Sequence, residues 1–271
     1  MTRVILLVCL LWWGPVRGMP PVERLEVEVL AVLPHDPGAF TQGLLHHQGY
    51  LYESTGLYGN SSLREVDPAS GEVLRQLPLD PAFFGEGLAL VEDRLIQLTW
   101  REGLALIWRL DDFRLVGAHQ YGGEGWGLCF DGEALWMSDG SATLYQRDAH
   151  DFSLLAAVEV SLHGQPMMQL NELACVGDHV YANVWRRDQI VRIDKSTGRV
   201  DAEIDASALN PLSERPGGRE AVLNGIAHDP ERDEFYLTGK LWPTMFRVRF
   251  VPRPECASLH CLVPVTMAAG D

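Results

Sequence analysis

A pattern that recurs five times along the chain limits the folds open to it. Each repeat unit opens with a polar or aromatic residue, then usually Gly, then Leu or Ile. The five openings are Gln42-Gly43-Leu44, Glu86-Gly87-Leu88, Trp126-Gly127-Leu128, Asn171-Glu172-Leu173 and Asn224-Gly225-Ile226. The fourth departs from the pattern, because Glu172 stands where the others have Gly. A pitch of about 40–50 residues is typical of β-propeller blades.

Within each unit the same order of strands and turns is repeated. An apolar first strand is followed by a turn and a second strand, predicted at residues 50–54, 94–99, 134–138, 179–184 and 234–238. A third strand ends near an Asp, and a tight turn leads to a fourth strand. The turns 67–71 and 194–198 match position for position, with Asp first and Gly last. Asp bonds to its own backbone in such turns and Gly tolerates positive φ.

The fifth unit ends after its third strand, at residues 245–251, whereas a strand-like run at 25–33 precedes the first unit. This run can supply the missing outer strand and close the ring, which removes exposed sheet edges. The sequence therefore predicts an all-β, five-bladed β-propeller catalytic domain over residues 24–252. A C-terminal tail follows at 253–271. The alternative is an open sandwich of similar strands.

The N-terminus has the pattern of a secretory signal peptide. A short basic start, Met1-Thr2-Arg3, precedes an apolar run at 4–13 and a segment of small residues and proline at 14–18. About ten apolar residues are too few for a stable membrane anchor. We expect residues 1–18 to be removed and the protein to be secreted or periplasmic, with a buried N-terminal segment as the alternative.

The net charge limits the kinds of partner that the chain can bind, and the positions of the cysteines indicate which of them could form disulfides. The formal net charge of -15 disfavours nucleic acid and anionic membrane, because either would repel the chain. In the tail, Cys256 and Cys261 are close enough to pair in an oxidising compartment. Cys129 and Cys175 lie in apolar runs and are predicted to be buried small hydrophobic residues.

The repeat also predicts where a site would form. In a propeller the first strands line the central channel, so their opening residues converge at one mouth: Gln42, Glu86, Trp126, Asn171 and Asn224. The ends of the second strands reach the same mouth and add Trp100, Trp185 and Lys240. Indoles beside a carboxylate, amides and an ammonium make a partly apolar cleft for a small ligand. Each residue also has a purely structural interpretation, as blade packing, a paired channel group or a solvated rim.

An ordered set of short motifs resembles the plant- and bacterial-type glutaminyl-peptide cyclotransferases over roughly residues 30–250. The motifs are Phe40-Thr41-Gln42-Gly43-Leu44, Phe84-Gly85-Glu86-Gly87-Leu88, Leu98-Thr99-Trp100, Gly125-Trp126-Gly127-Leu128, Asn171-Glu172-Leu173, Asn183-Val184-Trp185, Leu223-Asn224-Gly225-Ile226-Ala227 and Thr238-Gly239-Lys240. The resemblance implies a five-bladed, metal-free enzyme without a cofactor. It implies an active site surrounded by Glu86, Trp100, Trp126, Asn171, Trp185 and Lys240, with Phe40 and Gln42 beside it.

That family cyclises N-terminal glutamine to pyroglutamate and releases ammonia. The chemistry needs a group that takes and returns a proton, for which Glu86 is the candidate. Asn171 and Lys240 are candidates to stabilise the oxyanion. Phe40, Gln42, Trp100, Trp126, Trp185 and Asn224 are the predicted substrate-binding residues. The expected partners are peptides or proteins with N-terminal glutamine, bound by a monomer.

Two other functions stay open on the sequence alone. Glu86, Asn171 and Asn224 offer hard oxygen ligands for Ca²⁺, as in a metal-dependent propeller lactonase or related hydrolase. A non-enzymatic propeller that binds a peptide on its face is the second, because fold does not decide function. The long interruption at 205–220 is interpreted either as a loop over the pocket or as a solvated inter-blade loop.

Overall fold

The computed structural model describes residues 20–209 and 218–254. The predicted signal peptide, the tail from residue 255 with Cys256 and Cys261, and the centre of the 205–220 interruption lie outside the described residues. The described chain is almost entirely β-strand, with a short 3-10 helix at Gly218–Glu220. No helix in these ranges is long and apolar enough to cross a membrane.

The strands follow the order that the repeat predicts. Before the first unit lies β1 (Glu23–Pro34). Units one and two contain β2 (Thr41–His47), β3 (Tyr50–Thr55), β4 (Ser62–Val66), β5 (Val73–Pro78), β6 (Gly85–Val91), β7 (Arg94–Thr99), β8 (Leu104–Arg109) and β9 (Leu115–Gln120). Unit three contains β10 (Leu128–Phe130), β11 (Ala134–Met137), β12 (Thr143–Asp148) and β13 (Leu154–Glu159). A small hairpin, β14 (Ser161–Leu162) and β15 (Gln165–Pro166), precedes unit four. Units four and five contain β16 (Leu170–Val176), β17 (His179–Val184), β18 (Gln189–Asp194), β19 (Val200–Asp205), β20 (Leu223–Asp229), β21 (Glu234–Gly239) and β22 (Thr244–Pro252).

Units one to three each form a four-stranded antiparallel sheet in sequence order. Units four and five share one eight-stranded sheet, ordered β16-β17-β18-β19-β1-β22-β21-β20. As predicted, β1 pairs antiparallel with β22. It also pairs in parallel with β19, which the sequence did not indicate. The all-β prediction is confirmed, and the arrangement is propeller-like.

In units one to three, burial decreases from the first strand to the fourth. The first strands β2, β6 and β16 open with fully buried residues, whereas the fourth strands β5, β9 and β13 alternate between exposed and half-buried residues. This alternation is expected of a strand with one solvated face. In the described residues, five apolar clusters each draw their side chains from two adjacent units. The core therefore lies between the units.

The predicted Asp-to-Gly turns are present. The Gly71 and Gly198 amides donate to the main-chain oxygens of Asp67 and Asp194, each at 2.8 Å. Gly71 has φ of 70° and Gly198 has φ of 68°, in the left-handed region that glycine adopts without strain. These turns connect β4 to β5 and β18 to β19.

The first strands contact one another in a cycle, β2 to β6, β10, β16, β20 and back to β2. They approach closely at the glycines of the repeat. A Cβ on Gly43 would lie 2.7 Å from the Leu88 amide nitrogen, and one on Gly87 would clash with the Leu128 amide. Glycine is therefore required here because backbone occupies the space that a side chain needs.

Cys129 and Cys175 were predicted to be separate buried hydrophobic residues, and this prediction is wrong. They form a disulfide with a Cα–Cα distance of 5.5 Å, within the usual range. The two cysteines are 46 residues apart, but β10 and β16 lie side by side in the cycle. The bond therefore joins the first strands of units three and four.

We expect reduction of this disulfide to lower the free energy of unfolding by about 2–4 kcal/mol, because the cross-link restricts the unfolded chain. Chemical denaturation with and without dithiothreitol measures this. A Cys129→Ala/Cys175→Ala double variant should match the reduced protein and show no response to dithiothreitol. Equal stability of the oxidised and reduced proteins would contradict the prediction.

Glu172, the exception in the repeat, reaches across the centre of the cycle. Its side chain is fully buried, and its Oε1 accepts a hydrogen bond from the Leu44 amide of β2 at 2.9 Å. Burial raises the pKa of Glu172 well above its usual range, against the opposing effect of hydrogen bonds from the Leu44 and Leu173 amides. The raised pKa favours the neutral carboxylic acid at this position, and the hydrogen bond to Leu44 links β16 to β2.

Glu172→Gln should therefore change the free energy of unfolding by less than about 1 kcal/mol, since the amide keeps the size, the neutrality and the acceptor oxygen. Glu172→Ala should lower it by about 2–4 kcal/mol, because it leaves a cavity and an unpaired Leu44 amide. Guanidinium denaturation of both variants tests this. Equal destabilisation by Gln and Ala would mean that the carboxylate is charged.

Candidate active site

One mouth of the central channel opens into a pocket of about 290 Å³. Its lining consists of aromatic side chains with a few polar groups: Phe40, Gln42, Leu57, Phe84, Glu86, Trp100, Trp126, Asn171, Trp185, Glu220 and Lys240. Eight of the nine predicted site residues are in this lining. The ninth, Asn224, lies behind it and contacts Gln42. The structure thus brings the predicted residues together, whereas their chemical roles stay predictions.

The strand ends position these side chains. Glu86 is the second residue of β6, and the adjacent Gly87 amide donates to the main-chain oxygen of Trp126 at 2.6 Å. After the second strands, the amides of Trp185 and Lys240 donate to Gln169 and Val222, each at 2.9 Å. Backbone hydrogen bonds to neighbouring segments therefore hold the main chain at Gly87, Trp185 and Lys240 beside the same mouth.

A chain of hydrogen bonds leads from Asn224 to Glu86. Asn224 Nδ2 donates to Gln42 Oε1 at 3.2 Å and to the main-chain oxygen of Thr41 at 3.0 Å. Gln42 Nε2 in turn donates to Glu86 Oε1 at 2.9 Å. Because the Thr41 carbonyl can only accept, it sets the direction of the whole chain. Gln42 and Asn224 therefore orient the Glu86 carboxyl.

Glu86 and Lys240 are both buried, each with 4% of its surface exposed. Burial raises the pKa of Glu86 well above its usual range; Lys240 opposes this, and the charges of Glu124 and Glu102 add to it. Burial likewise lowers the pKa of Lys240, and the charge of Glu86 opposes that shift. Desolvation thus brings the two pKa values toward each other, which suits groups that exchange protons near neutral pH.

Aromatic rings form most of the pocket wall. The Phe40 and Phe84 ring centroids are 6.2 Å apart, and Phe84 and Trp100 are 5.4 Å apart. Trp126 and Trp185 pack edge to face with centroids 5.5 Å apart. Such geometry is favourable for aromatic pairs. The wall shields the polar groups from bulk water.

Asn171 presents its side chain to the pocket from β16. Its main-chain oxygen accepts a hydrogen bond from Ser138 Oγ at 2.8 Å, and the Gly127 amide donates to the same Oγ at 2.8 Å. Within the described ranges, its buried Oδ1 has no hydrogen-bond partner. A buried polar atom of this kind in a pocket wall is available to a ligand.

Comparison with known proteins identifies the family. A model of the family described as glutamine cyclotransferase matches residues 5–250. The chain belongs to the glutamine cyclotransferase family. It is 40% identical over 243 residues to a glutaminyl-peptide cyclotransferase of Arabidopsis thaliana, covering 88% of this chain and 76% of the relative. The crystal structure of Myxococcus xanthus glutaminyl cyclase superposes with a TM-score of 0.81 at 39% identity, covering 86% of this chain and all of the other.

Sequence reasoning missed several residues of this cyclotransferase-family pocket. Phe84 stands two residues before Glu86, as Phe40 stands before Gln42, so the repeat register could have identified it. Leu57 has φ of 88° and lies in a loop between two strands, with no sequence signal. Glu220 reaches the rim from the far end of the 205–220 interruption and pairs with Arg186 at 3.4 Å. Glu124 lies behind the wall and contacts two of its indoles.

Replacing Lys240 tests the coupling between the two buried groups. The Lys240 charge stabilises the Glu86 anion, so Lys240→Gln should move the titration midpoint of Glu86 to higher pH. Carbon-13 NMR of the Glu86 carboxyl across pH measures the midpoint. The matched variant Lys195→Gln removes a lysine that pairs with Asp131 outside the pocket and should leave it unchanged. A shift to lower pH in Lys240→Gln would show that the charges are not coupled in this way.

Proposed function

We propose that this protein is a glutaminyl-peptide cyclotransferase, which converts the N-terminal glutamine of peptides or proteins into pyroglutamate with release of ammonia. The observation that carries the proposal is the Glu86 carboxyl. It is buried in an aromatic-walled pocket, is oriented by Gln42 and has a raised pKa. Family membership and the names of the Arabidopsis and Myxococcus relatives support the same activity.

In the proposed reaction the neutral α-amine attacks the carbon of the side-chain carboxamide. The new N–C bond forms while the carbonyl electrons move to oxygen, and Glu86 accepts the proton that the amine loses. Collapse of the tetrahedral intermediate restores the carbonyl and breaks the bond to the amide nitrogen. Glu86 returns its proton to that nitrogen, which leaves as ammonia.

The other pocket residues would hold the substrate in its reactive geometry and stabilise the charge that develops on it. Asn171 and Lys240 line the pocket, and we propose that they donate to the oxygen on which charge develops. Because the attack is intramolecular, the enzyme mainly has to hold the substrate in its ring-forming rotamer. The Trp100, Trp126 and Trp185 indoles would hold the folded side chain and keep out water.

We also propose that the reaction needs no metal. Among residues 20–209 and 218–254, no three His, Cys, Asp or Glu side chains are grouped so that they could hold a metal ion. The Lys240 ammonium would moreover repel a cation bound at Glu86. A Ca²⁺-dependent hydrolase would require several oxygen ligands grouped around the ion and no ammonium beside it.

We further infer that the five repeat units are the five blades of a propeller, and that β1 is the outer strand of the fifth blade. The cyclic contacts of β2, β6, β10, β16 and β20 and the five inter-unit cores support this. We also propose residues 24–252 as one catalytic domain acting as a monomer.

We propose export through the segment 1–18, to the periplasm or the exterior. The disulfide between Cys129 and Cys175 supports this, because such bonds persist in oxidising compartments. The basic start and apolar run of the N-terminus are the sequence signal.

Ammonia release from a short peptide with N-terminal glutamine tests the proposed activity, with a mass loss of about 17 Da as the second readout. Glu86→Gln should lower kcat about 100-fold or more, because the amide cannot shuttle a proton. EDTA should have no effect. The matched variant Glu159→Gln changes a carboxylate on β13 whose partner is Thr143 and should keep the wild-type rate.

Three results would contradict the proposed activity or the proposed role of Glu86. Loss of turnover with EDTA would favour the metal-dependent hydrolase. Peptide binding by folded protein without turnover would favour the non-enzymatic propeller. Full turnover of Glu86→Gln would keep the cyclase and remove Glu86 as its proton carrier.

A further inference from the structure

The aromatic wall of the pocket consists of two runs, and a carboxylate stands between them. Phe40, Phe84 and Trp100 form the first run, and Trp126 and Trp185 form the second. Glu124 lies in the segment between β9 and β10. Its Oε2 accepts hydrogen bonds from both facing indoles, Trp100 Nε1 at 2.8 Å and Trp126 Nε1 at 3.0 Å.

The second carboxylate oxygen is also used. Arg101 Nε donates to Glu124 Oε1 at 3.0 Å, while its guanidinium carbon lies 3.7 Å from the Trp100 ring centroid. Trp100 is therefore held at its N–H edge by Glu124 and on one face by Arg101. The Gly125 amide adds a bond to the main-chain oxygen of Trp100 at 2.9 Å.

Three charge-assisted hydrogen bonds to one carboxylate define its position and that of its donors. An indole offers a single N–H donor, so one bond sets the in-plane direction of the ring. The two indoles come from different repeat units, and Glu124 is the acceptor they share. The angle between the two halves of the wall therefore depends on this side chain.

We propose that Glu124 is a positioning residue for the cyclisation, which holds Trp100 and Trp126 at the angle that closes the pocket around the folded glutamine side chain. The inference rests on the proposed function, because it assigns Glu124 to the same pocket. Glu124 acts through the two indoles and takes no part in proton transfer.

The electrostatics of Glu124 agree with this role. Partial burial opposes its charge, but hydrogen bonds from Trp126, Trp100 and Arg101 outweigh burial and lower its pKa. The charged groups that act on Glu86 are Lys240, Glu124 and Glu102, in that order after burial. Loss of the Glu124 charge therefore favours the Glu86 anion and lowers the pKa of Glu86.

Two substitutions separate the positioning effect of Glu124 from the effect of its negative charge. Glu124→Ala removes the acceptor, and we expect KM for a Gln-initiated peptide to rise about tenfold or more, with altered tryptophan fluorescence and near-UV circular dichroism. Glu124→Gln keeps one oxygen for both indoles, so KM and the spectra should stay near wild type. The acidic limb of the pH–rate profile of Glu124→Gln should move to lower pH, because the negative charge that raises the pKa of Glu86 has been removed.

Glu102→Gln is the matched control. Glu102 accepts hydrogen bonds from the Tyr58 hydroxyl at 2.9 Å and from the Phe84 amide at 3.4 Å, and it also raises the pKa of Glu86, but the two indole N–H groups donate to Glu124. This variant should shift the acidic limb as Glu124→Gln does, without the spectral change of Glu124→Ala. Should Glu124→Ala not fold, Trp100→Phe removes one donor and leaves a smaller aromatic ring in place of the indole, and KM should rise by the same reasoning.

Wild-type KM together with wild-type spectra in folded Glu124→Ala, or an unchanged KM in Trp100→Phe, would overturn the proposal. The spectra do not depend on turnover. If wild-type protein releases no ammonia, the proposed function fails, and the indole signal still reports whether Glu124 positions the wall. Failure of the two proposals is thus distinguishable.

Discussion

The close approach of backbone around the central axis is the constraint on which the rest of the structure depends. At Gly43, Gly87 and Gly127, the first strand of one unit leaves no room for a Cβ beside the next. This contact allows the first strands to meet in a closed cycle. Closure then places the residue before each glycine at the same mouth, which is where the pocket forms.

The single exception to the glycine pattern depends on the same geometry. Glu172 extends into the centre of the cycle and bonds the Leu44 amide on the opposite side. A buried carboxyl is costly as an anion, and burial raises the pKa of Glu172, which favours its neutral form. On the same strand, Asn171 points into the pocket and Cys175 carries the disulfide, so β16 connects the centre, the pocket and unit three.

Desolvation changes the acid–base properties of the two buried ionisable groups at this mouth. Aromatic rings cover Glu86 and Lys240, and burial moves their pKa values in opposite directions toward neutrality. The same rings need a polar anchor, since an indole N–H at a pocket wall requires an acceptor. Glu124 supplies that anchor and is itself stabilised as an anion by its donors. The packing of the aromatic wall and the pKa values of the buried groups therefore depend on the same side chains.

The sequence by itself determined the strand order, the Asp-to-Gly turns and the register of the site. These follow from periodicity within one unit, and equivalent positions such as Gln42 and Glu86 must lie at the same end of their strands. Only the tertiary structure decided the Cys129–Cys175 bond, the parallel pairing of β1 with β19, the reach of Glu172 and the contacts of Glu124. Each of these joins atoms from different units or from a loop. Local pattern cannot show them, because the distance between two units is set by how the whole ring packs.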